Sequence, residues 1–308
     1  MPLKLGLSLP QAIPYDLAKD VPAFAREAER IGYASLWVFE RVLTPTDQSG
    51  AHGLYGFPDL PWPDLYQRTT DPFVTLAQAA AVTTRVALGT GVLVAPLHNP
   101  VQLAKSIASL DVASGGRLIA GLGSGWSIDE FDAVAPRPIT ERGAALDEFL
   151  DVAATVWAAD PVSVEGTTFR LPPAYINPKP TGELPIFLGG ISEPALRRIA
   201  KRGLGWLPTG LSPAQTTEML SRLRDSAGAE LPCITQVGYT SLAEVSSAER
   251  APYAGSPAQL MEDLAELAAG GVEHVYLTLP YGFSDLKELI DAAEQVYGAA
   301  QEAGLLAD

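Results

Sequence analysis

Three places in the sequence combine residue types and spacings that suit chemistry. The first is a pair of glycine-rich strand ends. Gly89 and Gly91 interrupt an apolar run, and Gly121, Gly123 and Gly125 punctuate the segment GLGSGW. Glycine inside a strand pattern marks a bulge or a close approach of backbone to a ligand, and tight barrel packing is the competing explanation. The second is GGISEPALRR, with Gly189 and Gly190, then Ile191, then Ser192 as a helix cap. Free amides at a helix start favour an anion, and glycines let it come close. Glu193 beside this turn opposes an anion, so an ordinary capped helix stays open as an alternative. The third is Glu40–Arg41 after the apolar run SLWVF. Arginine stays protonated near neutral pH, so Arg41 is no general base. It can hold an anion or an electron-rich carbonyl edge, or form a structural ion pair with Glu40 or Asp64.

Several other chemistries find no support. His52, His98 and His274 are far apart and lack matching Cys or carboxylate spacing, so no metal site is expected. No G-x-S-x-G elbow occurs. GLGSGW resembles the dinucleotide fingerprint only superficially, because the acidic ribose partner is missing from its context. A net charge of −15 disfavours nucleic acid and repels anions at long range. No apolar run reaches the ~18 residues of a membrane span. The opening MPLKLGLSLP reads as a first strand rather than a targeting segment. The single cysteine, Cys233, excludes an intramolecular disulfide and fits a cytoplasmic location.

The elements that must position these residues alternate. Strands are expected over Lys4–Leu9, Ser35–Phe39, Val86–Val94, Leu118–Leu122, Pro185–Leu188, Gly205–Leu207, Cys233–Tyr239 and His274–Leu279. Helices are expected over Val21–Ile31, Pro72–Thr83, Pro100–Ser114, Thr140–Trp157, Pro194–Arg202, Pro213–Gly228, Pro257–Ala269 and Ser284–Ala303. Pro72, Pro100, Pro194, Pro213 and Pro257 sit in first-turn positions, and Asp71, Asn99, Ser212 and Ser256 can cap. Eight strands each followed by a helix predict the α/β class and a (β/α)8 TIM barrel, one domain over 1–308. Two insertion loops interrupt the rhythm, about 44–70 and 160–182. The first holds His52, Tyr55, Phe57, Trp62 and Tyr66 and reads as a lid or binding loop. The second contains a possible hairpin in PVSVEGTTFRL, and its prolines exclude a helix in PPAYINPKPTGELP. His98 in LHNP reads as structural.

The ordered pieces GYASLWVFERV, GTGVLVAPLHNP, QLAKSIASLD, SGGRLIAGLGSGW, DEF at 129–131, RGAALDEF and PIFLGGISEPALRRIAKRG resemble the luciferase-like monooxygenase superfamily. They are most similar to its branch of oxidoreductases that depend on the deazaflavin coenzyme F-420. The resemblance spans about Leu3 to Trp206. It implies a non-prolyl cis peptide at Gly91–Val92, in a bulge behind the central cofactor ring. It implies a phosphate site at Gly189, Gly190, Ile191 and Ser192. Ser8, Thr90, Gly123 and Ser124, at strand ends, are expected at the cofactor. From their places in the long loop and after the fourth strand, His52, Trp62 and Tyr66 are expected to cover the pocket and Trp126 to line it, with core packing as the alternative for the aromatics. Many members carry a His after the second-strand Glu; here Arg41 stands there, so Glu40, a Tyr or water is left to deliver a proton. Leu204, where an acid is common, is a second departure.

The expected activity is hydride transfer between F-420 and a small organic substrate. The alternatives are a reduced-FMN monooxygenase with a partner reductase, and a silent flavin-binding barrel, which a mouth plugged by Phe57, Trp62 or Tyr66 would favour. A homodimer is expected from the resemblance alone.

Overall fold

The computed structural model describes residues 2–12, 14–166, 169–246 and 250–306. Parallel strands β1 (Lys4–Ser8), β2 (Ser35–Val38), β3 (Ala87–Thr90), β4 (Leu93–Val94) and β5 (Leu118–Gly123) come first. An antiparallel hairpin, β6 (Val162–Glu165) and β7 (Arg170–Ala174), follows, where the sequence suggests one; its tip, 167–168, lies outside the described residues. The parallel set resumes with β8 (Ile186–Gly189), β9 (Gly205–Leu207), β10 (Ile234–Val237) and β11 (His274–Leu277). The strand order is β10-β11-β1-β2-β3-β5-β8-β9, with β4 continuing β3 alongside β5. Parallel bridges Trp206–Cys233 and Thr209–Gln236 then join β9 to β10. The result is a nearly closed (β/α)8 barrel.

The helices are α1 (Asp20–Ile31), α2 (Pro72–Ala80), α3 (Pro100–Ser114), α4 (Ile128–Val134), α5 (Arg142–Trp157), α6 (Glu193–Arg202), α7 (Pro213–Ala227), α8 (Pro257–Ala269) and α9 (Leu286–Glu302). Their starts follow from side-chain caps. Asp71 accepts from the Val74 amide, Asn99 from Val101 and Gln102, and Ser212 and Ser256 form reciprocal capping boxes with Gln215 and Gln259. Two elements differ from expectation. The run Val86–Val94 is broken at Gly91–Val92 into β3 and β4. The short helix α4 is additional; Ser127 caps it by accepting from the Glu130 amide. The loop 44–70 contains three short 3-10 turns and no α-helix.

Most apolar burial lies between the helices and the sheet. A smaller cluster fills the barrel itself: Trp37, Phe187, Leu207, Ile234 and Tyr276. Trp37 and Tyr276 stack with ring centroids 4.4 Å apart. A Cβ on Gly89 would stand 2.3 Å from the Trp37 ring, so Gly89 is a packing glycine. Beneath, the Trp37 Nε1–H donates to Ser35 Oγ at 2.7 Å, and Ser35 Oγ meets His274 Nε2 at 2.7 Å. Burial pushes the His274 imidazole down to about 3, so it is neutral. Side chains therefore plug the middle of the barrel and separate a cavity at the strands' C-terminal ends from one at their N-terminal ends, lined by Lys4, Glu29, Arg85 and His274 among others.

Candidate functional site

A cavity of about 290 Å³ opens there, built from the ends of β2 to β5 and β8 to β10, the turn after β11 and the 44–70 loop. Part of its wall is backbone. The Gly91–Val92 peptide is cis. A Cβ on Gly91 would stand 2.1 Å from Tyr276 Oη. The Val92 side chain reaches toward β5 and β8, where a Cβ on Gly123 would meet it at 2.7 Å and one on Gly189 at 3.2 Å. A Cβ on Gly121 would collide with the Thr90 carbonyl at 1.8 Å. The glycines of GLGSGW thus receive a bulge. Thr90 Oγ1 donates to the Gly121 carbonyl at 2.8 Å and accepts from its amide at 2.9 Å, so that hydroxyl ties β3 to β5.

The Glu40–Arg41 pair is positioned from several sides. Buried Gln11 clamps Phe39, with Nε2 donating to its carbonyl at 2.8 Å and Oε1 accepting from its amide at 2.7 Å. Glu40 Oε2 accepts from the Val94 amide at 2.6 Å, and Oε1 meets His98 Nε2 at 2.7 Å. Burial pulls the His98 imidazole down, but the Glu40 carboxylate outweighs it and holds the imidazole above its usual value. His98 thus holds a carboxylate that lines the cavity.

Arg41 does not pair with the Glu40 or Asp64 carboxylates. Its Nη1 donates to Glu130 Oε2 at 3.0 Å, and its Nε donates to the Glu40 carbonyl at 2.5 Å. Both side chains are buried, 9% and 2% exposed. The guanidinium lies 5.0 Å from the Trp126 ring centroid, 5.7 Å from Tyr66 and 5.9 Å from Trp62. Burial pushes the Glu130 carboxyl up, against the pull of Arg41. Glu130 is a residue the sequence reading missed, although Ser127 and Glu130 carry the S-x-x-E capping spacing that marks a helix start.

The cavity wall includes Glu40, Arg41, Gly91, Val92, Gly123, Ser124, Gly189, Gly190, Tyr66 and Trp126. Other expected residues stand back from it. Ser8 is buried and hydrogen-bonds the Tyr281 hydroxyl. Ile191 and Ser192 are exposed at the start of α6, beyond the mouth. His52 Nδ1 lies 2.9 Å from Asp129 Oδ1, and buried Trp62 donates its Nε1–H to the His52 carbonyl at 2.8 Å. These two brace the loop rather than cover the cavity. Phe57 is 61% exposed and does not plug the mouth. Tyr55 lines the cavity from the loop read as a lid, and Thr209, Gln236 and Tyr281 line it with no motif to announce them.

With this geometry the family can be stated. The model of the luciferase-like monooxygenases matches residues 6–252, and the chain belongs to that family. An uncharacterized Mycobacterium tuberculosis protein is 36% identical over 189 residues, 61% of this chain and 66% of that one. An F-420-dependent glucose-6-phosphate dehydrogenase of Amycolatopsis mediterranei is 26% identical over 228 residues, 72% of this chain and 63% of that one. Among solved structures, a monooxygenase from Streptomyces bottropensis superposes with TM-score 0.80 at 20% identity, covering 97% of this chain and 99% of that one. An F-420-dependent secondary alcohol dehydrogenase gives 0.75 at 17% identity, covering 97% and 99%. An FMN-bound Baeyer-Villiger monooxygenase of Pseudomonas putida gives 0.73 at 13% identity, covering 100% and 99%. These three likenesses concern the fold. The chain is a luciferase-like oxidoreductase or monooxygenase by family.

Proposed function

We propose that this protein transfers a hydride between coenzyme F-420 and a small organic substrate held in the cavity at the barrel mouth. One observation carries the reading: the cavity wall in which Gly91, Gly123 and Gly189 let the Val92 bulge pack closely ends at the Gly189–Gly190 turn at the start of α6. The cavity, at about 290 Å³, is close to the ~300 Å³ lower end for ligand pockets, so a planar ring system fits while its tail runs outward.

The turn suits a phosphate. Gly190 has φ +117 and is exposed, and Trp206 Nε1–H pins its carbonyl at 2.9 Å. Ser192 is the N-cap residue, yet its side chain makes no capping bond and is left for a ligand. Glu193 is turned toward Arg222, 3.5 Å away, which offsets its charge. A bound deazaflavin supplies the two-electron chemistry. The chain's own residues bind and orient. Glu40 holds β4 and His98 and so acts as a positioning group. Burial pushes the Tyr66 hydroxyl up to about 12 and raises that of Tyr281 well above its usual value, so both stay protonated and can donate hydrogen bonds at neutral pH.

Reduced FMN with a partner reductase is the second reading; the same wall and turn would hold FMN, and the fold likeness to an FMN-bound monooxygenase supports it. The phosphate assignment is tested by Ser192→Asp. Asp caps a helix about as well as Ser, so the melting temperature should hold while F-420 affinity falls at least about tenfold. Undiminished affinity would remove the turn from the site.

A further inference from the structure

Among the described residues that line the cavity, two carry charge, Glu40 and Arg41. Both are engaged by partners outside it. Glu40 is engaged by His98 and the Val94 amide. Arg41 is engaged by Glu130 and enclosed by Trp62, Tyr66 and Trp126. The remaining polar side chains of the lining are uncharged: Tyr55, Tyr66, Ser124, Thr209, Gln236 and Tyr281. Five lining side chains are aromatic, Phe39, Tyr55, Tyr66, Trp126 and Tyr281, and Trp126 lies 5.1 Å from Tyr55 and 4.7 Å from Trp62 behind it, centroid to centroid.

We propose that the cavity selects neutral, ring-bearing substrates with a hydroxyl or carbonyl oxygen, and discriminates against carboxylates and phosphate esters. The inference rests on the reading of this cavity as the substrate site. Its physical basis is desolvation. An anion entering a water-poor pocket loses hydration that only an available cation restores. Arg41 is already paired with a carboxylate that is 2% exposed, and a ligand anion would have to displace it or share the guanidinium with it. A neutral oxygen meets hydroxyl and amide donors instead. The molecule's charge of −15 adds a long-range penalty for anions. The Arg41–Glu130 pair is therefore a specificity determinant: it fixes a cation in the wall while withholding its charge.

The test uses benzyl alcohol, benzoate and phenyl phosphate, which share a ring and differ in charge. Binding is measured by calorimetry on protein preloaded with F-420 or FMN, whichever binds. If neither loads, the cofactor reading fails, and the selectivity is read on the free protein. Benzyl alcohol should bind at least about tenfold more tightly than either anion at neutral pH, a gap of about 1.4 kcal/mol. Equal or tighter binding of benzoate or phenyl phosphate would overturn the proposal. Glu130→Gln, checked for folding by its melting curve, releases the Arg41 charge; the preference for benzyl alcohol over benzoate should fall about tenfold. A folded variant with an unchanged preference would show that the pair does not set selectivity.

Discussion

At the scale of single residues, the site is governed by who occupies whom. Glu40 lies at the cavity edge as a proton donor might, yet both its oxygens are engaged, one by the Val94 amide and one by His98. The consequence is measurable. The His98 imidazole is held above its usual value because the Glu40 carboxylate outweighs burial. A group whose folded value is raised contributes stability that is fully present below its unfolded value of about 6.5. That contribution is lost as pH rises through the folded value. Stability measured by denaturant should therefore decline across this window, and Glu40→Gln should flatten the decline and lower the His98 midpoint seen by NMR. An unchanged midpoint in the variant would break the link between the two residues. Arg41 shows where sequence reading ends at this scale. Its position after the second strand and its inability to act as a base are legible from residue type. Its true partner, Glu130, is 89 residues away and reaches it only through the packing of α4.

At the scale of elements, the break between β3 and β4 organises the cavity. Glycines at 89, 91, 121 and 123 were all visible in the sequence, but spacing alone could not separate packing from ligand approach. The structure separates them. Gly89 accommodates Trp37 inside the barrel, Gly121 lets β5 pass the Thr90 carbonyl, and Gly123 makes room for Val92 at the cavity wall. Gly91 lies over Tyr276, whose ring is stacked on Trp37 and has no room to retreat. Gly91→Ala should then cost about 1–3 kcal/mol in chemical denaturation, the usual magnitude of overpacking, and weaken ligand binding in the folded fraction. Wild-type stability with wild-type affinity would mean that the bulge is not tightly held. The helices were legible because Pro, Ser, Asp and Asn punctuate their starts. Helix α4 was not, because seven residues carry too little periodicity; only its S-x-x-E start betrays it.

At the scale of the molecule, the eight-strand barrel was legible from the alternation of short apolar runs with amphipathic stretches. Its closure was not, since β9 meets β10 through isolated bridges that no local pattern encodes. None of the helices among the described residues is long and apolar enough to cross a membrane. The side-chain plug in the barrel's middle closes the floor of the C-terminal mouth, which is where barrels generally place their chemistry. The same architecture serves deazaflavin and flavin, so the cofactor is a question for measurement. The most direct one is titration of the purified protein with F-420 and, separately, FMN, each oxidised and reduced, following the fluorescence of its tryptophans, of which Trp126 lines the cavity. Saturable, micromolar-range quenching by F-420, with FMN binding more weakly, is the expected result. Tighter binding of FMN would replace hydride transfer to or from F-420 by the monooxygenase reading, and binding of neither would contradict the assignment of the cavity as a flavin site.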